Sequence, residues 1–361
     1  MSLIDSIEQY SYSLLEKGLI PDVVLRAAIR YLSNVRLKEV GASDPLEQLH
    51  ARKMKWIETI KARETIADAT DKANEQHYEV PTQFILSCLG PRAKYSSCLY
   101  PTGKETLAEA EVCMLESYCE KADLADGIDI LDLGCGWGSL ALFLAEKYPN
   151  SRITALSNSR TQKEFIDSHG FKNLEVFTGD VNFFDFDDKR RFDRILSIEM
   201  FEHMKNYQEL LRKISTWLKP NAKAHGGAAY LFVHIFCHKT ITYDFVSSDG
   251  WMAQHFFTGG TMPSFDLFTY FQDYLVLRRS WWVNGRNYGQ TSEDWVKCQD
   301  QHKAEGIKIL EEDAVKRGLP REEGRRHWYR FRTFFVTVAE FFAMYNGEQW
   351  GVGHYLFQAR D

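Results

Sequence analysis

No apolar run in this chain comes near the roughly 18 residues that a helix needs to cross a bilayer; stretches such as AAYLFVHIF stop far short of it. The start, MSLIDSIEQY, carries Asp5 and Glu8 where a secretory leader would be basic and then apolar, so a cytoplasmic protein without a membrane partner is expected. Cysteine is sparse and badly spaced for cross-linking. There are seven, at 88, 98, 113, 119, 135, 237 and 298, an odd number with no C-x-x-C, which excludes a disulfide framework and a cysteine-rich zinc site and leaves reduced thiols. Positive charge is not concentrated either. Lys and Arg total 44 against 50 Asp and Glu, the formal net charge is −6, and the basic residues are scattered, so nothing forms an electrostatic footprint for nucleic acid. Repeats and low-complexity tracts are missing. What remains is a 361-residue chain that is 44% hydrophobic, with 24 Phe, 17 Tyr and 9 Trp, ample for a large core built as one elaborated domain or a domain with an accessory part. That length also admits a homodimer.

Residues 6 to 62 have helical patterning, broken at Gly18 and Pro21 and restarted by Asp44 and Pro45 as N-cap and first helical position. A helical N-terminal arm over residues 1–70 is therefore expected. From Gly127 the pattern changes to short apolar strands alternating with helices: IDILDLG, SLALFLAEKY, RITALS, RTQKEFIDS, LEVFTGD, FDRILSIEM, NYQELLRKISTWL and AAYLFVHIF. Such alternation predicts an α/β fold, a doubly wound and mostly parallel sheet with helices on both faces, over residues 71–248. Residues 249 to 287 are dense in aromatics and hold Gly259, Gly260 and Pro263, which reads as an inserted cap, with charged and aromatic helices following to 348. The chain closes on the strand-like WGVGHYLFQA, residues 349–361 returning to the core.

Two motifs carry chemistry. In ILDLGCGWGSL, Gly134, Gly136 and Gly138 fall between a strand and a helix, where missing side chains let a nucleotide-like ligand approach the backbone and face the helix N-terminus. A dinucleotide fingerprint would need its third glycine at Ser139 and an acid about 20 residues on, and has neither. The form D-x-G-x-G-x-G instead resembles the loop of S-adenosylmethionine-dependent methyltransferases, with Asp132 beneath the loop and Asn158 or Gln162 replacing the missing ribose-binding acid. The second motif, SIEMFEH, places Glu199, Glu202 and His203 at the exit of the fourth strand, which in this topology lies beside the first. Glycine loop and acidic cluster thus open onto one crevice. Methyl transfer to an amine needs a free lone pair, and with the Lys value of about 10.4 as a guide, removing the ammonium proton at pH 7 costs about 4 to 5 kcal/mol. Glu202 and His203 suit that base, with Glu199 as added negative charge. The competing assignment makes Glu202 a cap for a helix beginning near Lys205 and His203 an interior residue. No Asp or Asn cluster is spaced for a divalent cation, so no metal is expected, and His234, Cys237 and His238 of HIFCH read as lining the end of the fifth strand.

With HYEVPTQF, KYSSCLY, LDLGCGWGSL, SNSRTQKEF, SIEMFEHMKNY, FTGGTMPS and GHYLF in this order, the chain resembles the plant coclaurine N-methyltransferase family, itself similar to cyclopropane-fatty-acid synthases. The resemblance covers residue 70 to the end. It implies a class I methyltransferase acting on a small aromatic amine, with S-adenosyl-L-methionine as cofactor and S-adenosyl-L-homocysteine as product. By that resemblance Tyr78, Tyr95, Ser96, Asp132, Gly134, Gly136, Asn158, Gln162, Asp180, Val181 and Ile198 fall around the cofactor, and Glu199, Glu202 and His203 around the substrate nitrogen. Phe256, Phe257, Trp328 and Phe331 are expected to bind substrate, since aromatic faces attract a cation by about 0.5 to 2 kcal/mol. Trp328 is expected near the mouth of the pocket, whereas the stripe Phe331, Phe335, Val338 and Phe342 is also what core packing alone would produce. Two other functions fit the sequence: a lipid-directed methyltransferase of the cyclopropane-synthase type, and a noncatalytic cofactor-binding module.

Overall fold

The computed structural model describes residues 3–67, 80–187, 190–245, 251–256 and 259–360. Tyr78 and Phe257 lie outside them. Five strands follow in turn, β1 (Asp129–Leu133), β2 (Arg152–Ser157), β3 (Leu174–Thr178), β4 (Arg194–Ile198) and β5 (Tyr230–His238), with a helix in each connection except β3 to β4, where the described residues form none. They pair in parallel in the order β3-β2-β1-β4-β5. Two more strands follow β6 (Tyr243–Asp244) and β7 (Thr261–Met262): β8 (Leu275–Asn284), and β9 (Trp350–Ala359), which runs antiparallel between β5 and β8. The sequence reads these strands as nearly unbroken apolar runs because both faces are covered. Ile130, Leu196 and Phe232 join one core, and their neighbours Leu131, Ile195, Leu231 and Val233 join the other.

The first core is closed by α5 (Leu107–Lys121) and α6 (Ser139–Lys147), through Met114, Leu115, Leu140 and Leu144. On the other face α8 (Tyr207–Trp217) contributes Leu210, Leu211, Ile214 and Trp217 at helical spacing. α4 (Thr82–Cys88) and α7 (Arg160–Asp167) complete the framework. The arm consists of α1 (Leu3–Glu16), α2 (Asp22–Glu39) and α3 (Leu46–Lys61). Pro45, expected as the first helical residue, is the N-cap itself, one position before the helix. The arm is tied to α12 (Arg321–Ala343) by Arg332–Asp22 at 2.8 Å and Arg330–Glu16 at 2.9 Å.

The stretch expected as a cap holds α9 (Trp251–His255) and a short turn at Leu267–Tyr270, but Leu275–Asn284 within it is an edge strand of the main sheet. Its exposed Arg278 and Arg279, and a bulge between Leu277 and Arg279, are features that discourage pairing with another chain. The charged stretch 293–317 spans two helices, α10 (Arg286–Gln301) and α11 (Lys303–Lys316), separated at His302. No helix among the described residues is long and apolar enough to cross a membrane.

Candidate active site

The order of strands reverses between β1 and β4, which leaves a crevice beyond their carboxyl ends. The glycine loop occupies one side of it. Gly134 and Cys135 donate backbone N–H groups to the Leu156 carbonyl at 2.9 and 3.0 Å, pinning the loop to β2. Gly134, Gly136 and Gly138 have φ of 82°, 51° and 78°, a region where side chains are strained. A Cβ on Gly134 would strike Met200 and one on Gly138 would strike Ile166, but one on Gly136 would meet no atom within 4 Å. Gly136 therefore faces open space.

That space is a cavity lined by Tyr95, Ser96, Asp132, Gly134, Gly136, Ile198 and Glu199, among others, seven residues that the sequence reading had gathered. Three buried polar atoms of its wall have no hydrogen-bond partner among the described residues: Asp132 Oδ2, Ser139 Oγ and Trp137 Nε1. Burial pushes the Asp132 carboxyl up to about 7, against the pull of the Ala141 amide in the first turn of α6. A buried carboxylate and free donors suit a ligand carrying both positive charge and polar acceptors. Asn158 directly follows β2, Gln162 lies in the first turn of α7, and Asp180 and Val181 follow β3, so all four are at the same edge of the sheet but beyond this cavity. The Gln162 side chain accepts from Ser157 Oγ at 2.6 Å and leaves its own Nε2 without a partner among the described residues. Val181 accepts from Lys213 Nζ through its carbonyl at 2.9 Å.

On the other side of the crevice β4 ends at Ile198, and Glu199 turns the chain with φ of 48°, a conformation costly for a residue with a side chain. Its N–H donates to the His234 carbonyl at 2.8 Å. The turn sends the carboxylate inward, where Oε1 accepts from Ser97 N at 2.8 Å and lies 2.9 Å from His234 Nε2, while Tyr288 O–H donates to Oε2 at 2.6 Å. Burial raises the Glu199 carboxyl above its ordinary range, opposed by Lys94, Tyr288, Ser97 and His203. Glu202 and His203 lie in a single 3₁₀ turn, Phe201–His203. Glu202 is buried with Oε2 unpartnered among the described residues, and burial followed by the charge of Glu199 pushes it well above the usual carboxylate range. It caps no helix. α8 starts at Tyr207, and its N-cap is Asn206, which accepts from Glu209 N at 3.0 Å. The acid pair is thus held for something other than helix termination.

Aromatic rings continue from this cluster. Tyr288 stacks on Phe342 at 4.5 Å, Trp295 stands 5.6 Å from Tyr95 and 5.3 Å from Phe335, and Phe331 packs edge-on to Phe256 at 5.4 Å. Phe256 and Phe331 are therefore joined to the acidic cluster through rings. Trp328 is not at a pocket mouth. It is fully buried, with its indole against Gly306 of α11 and its carbonyl held by Gln299 Nε2 at 2.9 Å. Sequence reasoning missed Lys94, Ser97, Tyr118 and His354 and read His234 only as lining the end of the fifth strand; all five reach Glu199 directly or through one or two contacts. The recurrent histidines of HIFCH and GHYLF were the available signal.

A doubly wound sheet with a glycine loop at its switch point and an antiparallel strand beyond the fifth is the class I S-adenosylmethionine-dependent methyltransferase fold. The family described as Mycolic acid cyclopropane synthetase matches residues 66–318. The (S)-coclaurine N-methyltransferase of Thalictrum flavum subsp. glaucum is 37% identical over 96% of this chain and 94% of its own. The (S)-tetrahydroprotoberberine N-methyltransferase of Eschscholzia californica is 34% identical over 96% and 97%. A crystal structure of coclaurine N-methyltransferase bound to N-methylheliamine and SAH superposes with a TM-score of 0.88 at 34% identity, covering 96% of this chain and 98% of that one. The chain belongs to the Mycolic acid cyclopropane synthetase family and, within it, to the coclaurine and related plant N-methyltransferases.

Proposed function

We propose that this protein transfers a methyl group from S-adenosylmethionine to the nitrogen of a small aromatic amine of the benzylisoquinoline, protoberberine or phenylalkylamine type. The observation that carries the proposal is buried Glu199, which lines the glycine-loop cavity and is linked electrostatically to Glu202 and His203. The names of the relatives support the amine as acceptor. Bound in the cavity, the cofactor would supply a methyl group carried on a sulfonium. Asp132, Ser139 and the backbone around Gly136 would hold it, since they offer negative charge, a free hydroxyl and room for close approach.

The acceptor arrives as an ammonium and has no lone pair until it gives up a proton. Glu202 and His203 take that proton, a role suited to a carboxyl that burial lifts well above the usual carboxylate range. Glu199, fixed by three contacts, keeps negative charge beside the cation. Tyr288, whose hydroxyl reaches Glu199, offers its ring to the substrate and to the methylated cation that leaves, backed by the buried rings of Phe256 and Phe331. The test is transfer of radiolabelled methyl groups from S-adenosylmethionine to each of the three amine classes and to phospholipid vesicles. Label in the amines is expected. Label in lipid alone would assign the chain to lipid methylation, and label in neither would leave a binding module.

A further inference from the structure

We propose that Glu199, His234, His354 and Lys121 form a proton path that carries the proton taken from the amine through the sheet to the protein surface. The inference rests on the amine-methylating activity proposed above. That activity leaves one proton in the site per turnover, because the methylated product departs with its own positive charge.

The path is continuous at hydrogen-bond distance. Glu199 Oε1 lies 2.9 Å from His234 Nε2, His234 Nδ1 lies 3.0 Å from His354 Nε2, and His354 Nδ1 lies 2.8 Å from Lys121 Nζ. His234 on β5 and His354 on β9 are cross-strand partners, so the sheet itself fixes their rings 4.9 Å apart. Both are fully buried, and the line ends at Lys121, the last residue of α5, which is half-buried beside Trp281. Apolar residues would fill these two central sheet positions at less cost than imidazoles that must be desolvated. An unbroken alternation of donors and acceptors is what a proton needs.

The transfer balances without electron exchange. Glu199, a carboxylate while the cation is bound, first takes the proton from Glu202 or His203, to which it is electrostatically linked. As the resulting Glu199 O–H bond breaks, His234 gains a proton on Nε2 and gives the one on Nδ1 to His354 Nε2. His354 in turn gives its Nδ1 proton to the lone pair of Lys121, which releases a proton to water. The relay leaves both rings in their other neutral tautomer, and the starting tautomers return by proton exchange before the next turnover. Lys121 must be neutral to accept, and burial, opposed by Glu120, pulls it down to about 8. Glu199 faces Lys94, Tyr288, His203 and Glu202, while the imidazoles face Lys94, Lys121 and Tyr118 and are held well below the normal histidine range by burial. Neutral imidazoles relay a proton without holding it.

The experiment compares wild type with Lys121→Met, Lys121→Arg and His354→Gln, measuring kcat and KM for the amine from pH 6.5 to 9 in dilute buffer, then with added imidazole. Both Lys121 variants are expected to lose at least about fivefold in kcat with KM unchanged, because arginine keeps the charge and the donor but cannot accept a proton. Imidazole should restore Lys121→Met and leave His354→Gln impaired, since the break there is internal. A Lys121→Arg variant matching wild type while Lys121→Met falls would mean that Lys121 only holds His354 in place. Wild-type kcat in all three, or losses that imidazole does not relieve in Lys121→Met, would also overturn the path. Wild-type protein that methylates no amine would overturn the proposed activity, and the path with it.

Discussion

Asp132→Asn separates what the glycine-loop site costs the fold from what it contributes to binding. In the folded protein burial raises this carboxyl from 3.8 to about 7. The folded state therefore holds a proton that the unfolded chain has lost, and stability falls as pH rises between those two values. The penalty is absent below about pH 4, grows through pH 5 and 6, and levels off above pH 7. A rise of roughly three pH units, at about 1.4 kcal/mol each, makes it about 4 kcal/mol. Asparagine fills the same space without a charge to desolvate, so the variant should equal wild type near pH 4 and exceed it by up to about 4 kcal/mol at pH 8. Denaturant unfolding of the ligand-free protein across this range measures the difference. Binding should move the other way. A cationic cofactor favours the carboxylate, so its affinity for wild type should increase from pH 5.5 to 7.5, whereas Asp132→Asn should bind with little pH dependence. At pH 7.5 the variant should be weaker by about 1.5 to 3 kcal/mol, roughly 10- to 150-fold, the worth of a charged hydrogen bond. Calorimetry with S-adenosylmethionine reads this directly. A stability difference that does not vary with pH would refute the buried neutral carboxyl, and unaltered affinity would remove Asp132 from the cofactor site.

Gly136→Val should abolish cofactor binding in a folded protein, because the branched side chain enters the open space that a Cβ would face there; normal calorimetric affinity would disprove the loop's role. His203→Ala should lower turnover by about 10² to 10⁴ with cofactor affinity nearly unchanged, and the loss should shrink as pH rises toward 9.5 and the amine becomes neutral in solution. A loss that stays constant over amines of graded basicity would make the cluster a positioning device. Glu202→Gln should show a milder form of the same kinetics, and should be more stable than wild type by a margin that widens above pH 5, since the folded state of the wild type favours the protonated acid. Trp328→Ala should cost about 3 to 5 kcal/mol in urea unfolding, as a fully buried indole leaves a cavity; a fully stable variant with a raised KM for the amine would return it to the substrate site.

The sequence by itself determined the elements and the motif positions, because both are local. Strand–helix alternation from Gly127 to His238 points to a parallel doubly wound sheet, since each short apolar run must be covered on both faces, although the described residues between β3 and β4 hold no helix. The glycine loop and Glu199–His203 were legible for the same reason: they end strands whose place at the switch point follows from topology. Only the tertiary structure decided what joins them. The aromatic content of residues 275–284 reads as cap, yet cross-strand hydrogen bonding to β9 makes that segment a sheet edge. Trp328 has the composition of a pocket residue and the burial of a core one, because α11 packs Gly306 against its pyrrole edge. The line from Glu199 to Lys121 draws on positions 121, 199, 234 and 354, which share no spacing. Its residues meet because β9 returns antiparallel to β5 in the one register that sets His354 opposite His234, and register is set by packing across strands that are more than 100 residues apart.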